Sequence, residues 1–387
     1  MRALPHRLHP RHLNLARRCF SNCTRVVDLI QHDASPAVFL NHIHLSSSQD
    51  PFPPYAVASE IQSQIRQIFL SYKAAATTSP TTSAPSPVLL SFTPSPTYTL
   101  GRRQTPISPT QASRLRQPLR VPLPNTMGTD PSAPAEEPGT KDYIPLVLET
   151  DRGGLTTYHG PGQIVLWPIL DLRSPLHTNF RVRCYARLLE QTTRALLLAH
   201  PHLGIQTHLS EADPGVWVRR GSEQHARDKE NGNPAAGVDA TDATAAPTPA
   251  DLTTDRKIAA LGVHLRRHVT GLGTALNLDV ATRGPDSVNP WARFVPCGLD
   301  GKGVASVRDL IAPGRWAAAV AAAASPAAAT TTTTTTTAAA APSGIAAAFA
   351  EDMARRWAAE LSSRIGLDGR VRSTTVDVES IITTAAS

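Results

Sequence analysis

An α+β fold is the class this sequence predicts, and three observations carry it. Short strand-like runs cluster along the chain, helical segments are few and widely separated, and no regular strand–helix–strand alternation emerges.

Taken in order, Ala56 to Tyr72 repeats apolar residues at helical spacing, with Ile61, Ile65, Ile68, Phe69 and Tyr72 on one face. Val88 to Phe92 and Leu146 to Glu149 are short apolar runs of strand type. Gln163 to Leu172 is a third. Pro168 within it suggests a bulge or an edge position, because proline cannot donate to a ladder. Arg181 to Leu198 predicts a second helix, with Leu188, Leu189 and Leu196 to Leu198 available for its buried side. Gly215 to Val218 and Ile258 to Leu265 read as strands. Ala346 to Leu361 predicts a late helix carrying Phe349, Met353, Trp357 and Leu361 at intervals of four.

Between these segments lies filler. Ala74 to Ser86, Thr105 to Lys141, Arg220 to Asp255 and Ala312 to Gly344 are rich in Pro, Ala, Thr, Ser or mixed charge, and the last holds the threonine run Thr330 to Thr337. Such stretches lack the large apolar side chains that offset the entropy of ordering. The apolar segments on either side read as parts of one sheet. The expected organisation is therefore a single domain over residues 36–310 with disordered insertions near 74–86, 105–141 and 220–255. A low-complexity segment, 311–345, and a C-terminal helix and tail, 346–387, follow it.

Charge adds an address. The 387 residues carry 38 Lys and Arg against 31 Asp and Glu, a net +7. Six of those arginines (Arg2, Arg7, Arg11, Arg17, Arg18 and Arg25) fall in residues 1–27, where no acidic residue occurs. That composition reads as a mitochondrial or plastid transit peptide, and Arg18-Cys19-Phe20-Ser21 looks like a matrix-protease site. Without the leader, 32 basic residues face 31 acidic ones, so the excess does not argue for nucleic acid. There is no zinc-ligand spacing and no basic-aromatic stripe, and no metal site is expected. No run approaches the ~18 apolar residues of a membrane span. Four cysteines are too few for a disulfide framework.

Three places could do chemistry. Of the cysteines, Cys19 and Cys23 lie in the leader and Cys184 sits in a helix as a packed or surface thiol. Cys297 stands at a Pro296–Gly298 corner that could present it to a substrate, although by itself a small buried hydrophobe is the better reading. In the block Asp151 to Gln163, paired glycines beside Arg152 let backbone approach a ligand closely, and Tyr158 and His159 add donors and a proton carrier near neutral pH. A glycine-rich hairpin with a structural histidine is an equal reading. Lys257 opens an apolar, small-residue strand, either as a solvated end or as a deliberate charge; near a thiol its ammonium would favour the thiolate. Gly271-Leu272-Gly273 tempts a dinucleotide reading, but Leu276 occupies the sixth position of that fingerprint.

Together, five blocks in this order resemble the lipoyl(octanoyl) transferases. They are Pro96 to Arg102, RGGLTTYHGPGQIVLWPILDL from Arg152 to Leu172, Pro214 to Val218, KIAALGVHLRRHVTGLGTALNL from Lys257 to Leu278, and FVPCGL from Phe294 with Gly303 to Val307. The resemblance samples roughly residues 55–310. It implies the biotin/lipoate protein ligase catalytic-domain fold, a mostly antiparallel sheet with packed helices. It implies Cys297 as the acyl-thioester nucleophile and Lys257 as the residue that lowers its pKa and shuttles protons. Substrate binding would fall to Arg152, Gly153, Gly154, Leu155, Thr156, Thr157, Tyr158 and His159, to Ala260, Leu261 and Gly262, and to Gly273, Thr274 and Ala275. The implied donor is octanoyl-acyl carrier protein. The implied acceptors are lipoyl domains of 2-oxoacid dehydrogenase complexes and the glycine cleavage H protein, in the mitochondrial matrix. A thioester is already activated, so no ATP and no cofactor are expected. Two competing expectations are an ATP-dependent lipoate or biotin ligase, which has no need of the Cys297–Lys257 pair, and a non-catalytic scaffold that binds lipoyl domains.

Overall fold

A computed structural model describes residues 37–76, 83–123, 139–219, 255–294, 302–325 and 345–383. Its first half runs β1 (Leu40–Ser46), α1 (Tyr55–Ala75), β2 (Val88–Phe92), β3 (Thr97–Leu100), α2 (Pro109–Leu115), β4 (Leu119–Pro122), β5 (Thr140–Tyr143), β6 (Leu146–Glu149), β7 (Thr157–His159) and β8 (Gln163–Ile169). The second half runs α3 (Val182–Ala199), β9 (His208–Leu209), β10 (Val216–Val218), β11 (Arg256–Arg266), β12 (Val269–Asn277), β13 (Gly303–Val304) and α4 (Val307–Leu310). It ends with α5 (Pro313–Ala324), α6 (Ile345–Arg364), β14 (Val371–Asp377) and α7 (Val378–Thr383).

The expected α+β class is what is found. A nine-stranded sheet has the order β14-β1-β2-β8-β12-β11-β10-β9, with β13 beside β11. It is antiparallel from β2 to β9, while β14, β1 and β2 run parallel and β13 adds a parallel stub. On one face α1 buries Ile61, Ile65 and Phe69 against Val165, Trp167 and Ala275. On the other, α3 and α6 bury Leu189, Leu197, Met353, Trp357 and Leu361 against Ile164, Leu166 and Leu276. Each such aliphatic or aromatic side chain contributes about 1.5–3 kcal/mol when fully withdrawn from water. A three-stranded sheet, β6-β3-β7, and the β4–β5 hairpin flank one end.

Several sequence expectations change here. Pro168 sits in β8, which is central, not an edge. Its missing N–H is tolerated because the β8–β12 ladder stops at Leu166–Thr274. Beyond that point β12 kinks at Leu272 (φ 59), whose N–H turns to Gln62 Oε1 at 2.9 Å. Part of the expected insertion 105–141 is ordered: α2 and β4 bury Leu115, Leu119 and Val121 among Tyr98, Tyr158 and Trp291. Within the expected low-complexity segment, α5 packs Ala319 and Ala323 into the main core, and Trp316 meets Phe349 edge-on at 5.1 Å. The C-terminal helix and the strand after it share that same core, with β14 registered on β1 from Leu40–Val371 to Ser46–Asp377. The leader and most of the 220–255 insertion lie outside the described residues.

One charged residue holds the small subassembly. Arg293, at the end of a 3-10 turn (Pro290–Arg293), is 0% exposed and donates to Asp286 O at 2.8 Å, Gln117 O at 2.6 Å and Pro118 O at 2.7 Å. A guanidinium presents five donors in a fixed fork, so it can bridge carbonyls from two loops. Removing it strands those carbonyls and leaves a void. Arg293→Ala therefore lowers stability by about 3 kcal/mol in urea unfolding, and Arg293→Lys recovers less than half. A loss under ~1 kcal/mol would contradict this bracing role.

Candidate active site

The β11–β12 hairpin supplies the floor of the site. Its two-residue turn, Arg267 and His268, has φ of 50 and 68, the doubly left-handed turn whose twist matches antiparallel strands. That turn fixes the register, which sets Ala260 opposite Ala275, Leu261 opposite Thr274 and Gly262 opposite Gly273. The two small-residue segments singled out separately in the sequence are thus one patch of paired backbone. Smallness is required: a Cβ on Gly273 would lie 2.2 Å from Leu166 O and 2.8 Å from Pro168 Cδ. Backbone cannot yield as a side chain can. Gly273→Ala is accordingly expected to cost about 1–3 kcal/mol in thermal or urea unfolding. Gly153→Ala, where a Cβ meets nothing within 4 Å, should stay within about 0.5 kcal/mol of the parent.

The Arg152 block forms the wall above this floor. Arg152 is 6% exposed, and its Nε and Nη2 donate to Thr99 Oγ1 at 3.0 and 2.9 Å. Its Nη2 also reaches Thr99 O at 2.6 Å, and its Nη1 reaches Gly153 O at 3.0 Å. Three glycines make room for it. A Cβ on Gly262 would meet its Cδ at 3.1 Å, one on Gly154 its Nη1 at 3.4 Å, and one on Gly101 its Nη1 at 2.9 Å. Gly154 adopts φ +87 to turn the chain back toward β7. Leu155 is half-buried on this turn, and Thr156 N and Oγ1 both donate to Gln104 Oε1 at 3.0 and 2.8 Å. In β7, Thr157, Tyr158 and His159 pair with Thr99, Tyr98 and Thr97. Tyr158 is buried between Tyr98 and Trp291, and burial raises its pKa well above the usual phenol value.

His159 separates the two readings the sequence leaves open for it. It stacks on Tyr55 with centroids 5.4 Å apart, and its Nδ1 lies 2.8 Å from Gln163 Oε1. Gln163 Nε2 donates to Asn277 Oδ1 at 2.8 Å, and Asn277 Nδ2 donates to Ala305 O at 3.0 Å. This chain fixes both amides, so His159 Nδ1 carries the proton and Nε2 the lone pair. Burial first, and the Arg152 charge second, push its pKa down to about 3. It is neutral at physiological pH, which favours the structural histidine over the proton carrier, the two equal readings of the sequence.

Lys257 enters at the second residue of β11. Its stem lies along Gly215, whose hypothetical Cβ would meet Cε at 3.3 Å, and its Nζ stands 4.6 Å from the Trp217 ring centroid. Lys302 Nζ shares that ring at 5.0 Å and is ion-paired to Asp213. Glu190, buried in α3, accepts the Gly215 N–H at 2.8 Å and so steadies this corner. The backbone of Lys257 also accepts the N–H of Ala305 at 3.0 Å, which ties β11 to the segment after β13. Cys297 lies outside the described residues. Described chain flanks it at Phe294 and Lys302. Gly215 and Trp217 stand beside Lys257 without a role assigned by the sequence, where the one signal is a glycine two residues before a tryptophan. Gln163 and Asn277 had no signal, because polar residues inside apolar runs look alike whether paired or not. Cys184 is exposed, as one of its two readings expected, and no cluster of metal-ligating side chains occurs among the described residues.

Comparison with known proteins gives consistent matches. Residues 70–325 match the family model for the lipoyl protein ligase A/B catalytic domain. The chain is 28% identical to a probable octanoyltransferase of Schizosaccharomyces pombe over 70% of its own length and 87% of that protein's. It is 34% identical to an octanoyltransferase of Alkalilimnicola ehrlichii over 43% of this chain and 56% of the other. It is 30% identical to the mitochondrial octanoyl-[acyl-carrier-protein]:protein N-octanoyltransferase of Danio rerio over 55% and 62% of the two chains. The match thus spans less than two thirds of these last two relatives. Among solved structures, a bipartite lipoate protein ligase from Thermoplasma acidophilum superposes with a TM-score of 0.42 at 10% identity, covering 89% of this chain and 91% of that one.

Proposed function

The chain belongs to the lipoyl protein ligase A/B catalytic-domain family, and from that premise we propose that it is an octanoyltransferase working through a cysteine thioester. The thiolate of Cys297 attacks the carbonyl carbon of the octanoyl thioester on acyl carrier protein. The carrier thiol leaves and takes a proton from Lys257. A lysine amine of the acceptor lipoyl domain then attacks the enzyme thioester, Lys257 recovers a proton, and Cys297 departs as thiolate, leaving an amide. Backbone amides at the glycine turns stabilise the tetrahedral oxyanion, an effect of about 3 kcal/mol per donor. No ATP enters, because the acyl group arrives activated.

The observation that best supports this reading is the β11–β12 register. It sets Lys257 at one end of a floor of paired small residues, Ala260–Gly262 against Gly273–Ala275, with Arg152 standing across Gly262. Such a floor suits an unbranched acyl chain better than a bulky or planar ligand. Lipoyl domains of 2-oxoacid dehydrogenase complexes and the glycine cleavage H protein are the proposed acceptors. The arginine-rich leader and the mitochondrial name of the zebrafish relative support a matrix location. Intact-mass spectrometry tests the reading. The purified chain, incubated with octanoyl-carrier protein and no ATP, gains one octanoyl group that Cys297→Ser does not gain. Dependence on ATP and free octanoate would overturn it in favour of a ligase.

A further inference from the structure

Between α1 and the tip of the β11–β12 hairpin lies a cavity of ≈ 750 Å³ whose walls include Gln62, Arg66, Arg102, Glu149, Asp151 and His264. Its inner wall contains donors that have no acceptor among the described residues. Gln62 is 4% exposed, and its Oε1 accepts the Leu272 N–H, which fixes the amide orientation. Gln62 Nε2 is therefore a buried donor, and it has no partner among the described residues. One turn along α1, Arg66 Nη1 lies 3.4 Å from His264 Nδ1, while its Nε and Nη2 are buried without partners among the described residues. Gly271 leaves room for this guanidinium: a Cβ there would lie 3.0 Å from Arg66 Cδ and Nε.

Unpaired buried donors cost free energy unless an acceptor arrives, so this wall asks for an oxygen-rich ligand. The guanidinium groups of Arg66 and Arg102 line it, with the charge of Arg266 acting on Arg66, against the carboxylates of Glu149 and Asp151. Asp151 acts on Arg66 electrostatically, yet the two form no ion pair, and Arg66 remains available to a ligand. His264 accepts from Arg66 and is held neutral by burial and by that charge. Neighbouring guanidinium and amide donors that project from one helix match the several acceptor oxygens of an oxyanion.

We propose that this wall is an oxyanion subsite for the phosphate group of the arm that carries the donor thioester. The proposal rests on the acyl-transfer reading above. Position supports it: His264 follows Lys257 by seven residues on the same strand, roughly 23 Å at strand rise. That span is too long for the octanoyl chain and suits a longer, polar, phosphate-ended arm.

The test compares two donors with the full chain: octanoyl-carrier protein, and the octanoyl thioester of a small phosphate-free thiol. Arg66→Ala and Gln62→Leu should raise KM for the carrier-borne donor about tenfold more than KM for the small thioester, with Arg66→Lys recovering part of the loss. Inorganic phosphate should compete with the carrier-borne donor in wild type more strongly than in Arg66→Ala. Equal changes for both donors, or none, overturn the subsite. If wild type accepts neither thioester, the activity reading fails instead, and the subsite is judged by binding of inorganic phosphate alone. Binding lost in Arg66→Ala and kept in Arg66→Lys then supports it; no binding in wild type overturns it.

Discussion

On the proposed acyl-transfer reading, Lys257→Met is expected to lower kcat/KM for octanoyl transfer by about 10²–10⁴-fold, the usual share of a positioned proton-transfer group, or roughly 3–5 kcal/mol of barrier. Methionine keeps the unbranched stem that runs along Gly215 and removes only the ammonium. The fold should therefore survive, and the loss should report the charge and its proton. Trp217 sharpens the expectation. An ammonium 4.6 Å from an indole centroid is held by the ring face, so its position is set before substrate arrives. Lys257→Arg separates the two roles. It retains a cation beside Trp217 but cannot release a proton near neutral pH, so it should help a thiolate form yet fail to restore turnover. In intact-mass experiments Lys257→Arg would load Cys297 faster than Lys257→Met while remaining slow in transfer to the acceptor. A Lys257→Met enzyme within about threefold of wild type would remove this lysine from the mechanism.

What the sequence made legible follows from which interactions are local. β2 and β6 match their expected residues, because runs of four or five mostly apolar residues preceded by Pro87 and Pro145 are too short for a helix and read as strands by length and flanks. α1, α3 and α6 fall within a few residues of expectation. Pro168 was half legible. The interrupted pairing is local to it, but its central position depends on a kink at Leu272 more than a hundred residues away. The ordering of residues 109–122 was not legible: Leu115, Leu119 and Val121 are too few to make a core. They become core only against Tyr98, Tyr158 and Trp291, supplied from three other parts of the chain. At the site, the small-residue segments could be read one at a time, whereas their pairing depends on a turn formed by Arg267 and His268. These two residues are not the Asn-Gly, Asp-Gly or Gly-Gly pair that marks such a turn in a sequence. His159 shows the sharpest limit. Its residue type argues for titration near neutrality, and only the burial made by Tyr55, Gln163 and Arg152 cancels that.

That cancellation has a measurable cost in acid. In the unfolded chain His159 titrates near the ordinary value of 6.5, while in the folded protein burial and Arg152 hold it to about 3. Between those values the unfolded state binds the proton and the folded state does not. Stability is therefore fully present above pH 6.5 and is lost as pH falls toward 3, at about 1.4 kcal/mol per pH unit. His159 alone removes on the order of 2–3 kcal/mol between pH 6.5 and pH 4. Two further histidines act in the same direction. His42 Nε2 and His44 Nδ1 both bond Ser91 Oγ at 2.8 Å beneath α6, and both are buried. Burial lowers both pKa values. His44 and Arg355 add to the effect at His42, whereas Glu351 partly opposes it at His44. Urea unfolding at pH 7, 6, 5 and 4 should show stability falling by more than the slope of one histidine. His159→Gln, if it keeps the bond to Gln163, should flatten that slope by about 1.4 kcal/mol per unit. Domains of this kind hold only about 5–15 kcal/mol in total, so loss of the fold near pH 4 is the expected endpoint. Unchanged stability between pH 7 and pH 5 would mean that these rings are solvated in the folded protein. The neutral His159 anchored through Gln163 and Asn277 would then have to be abandoned.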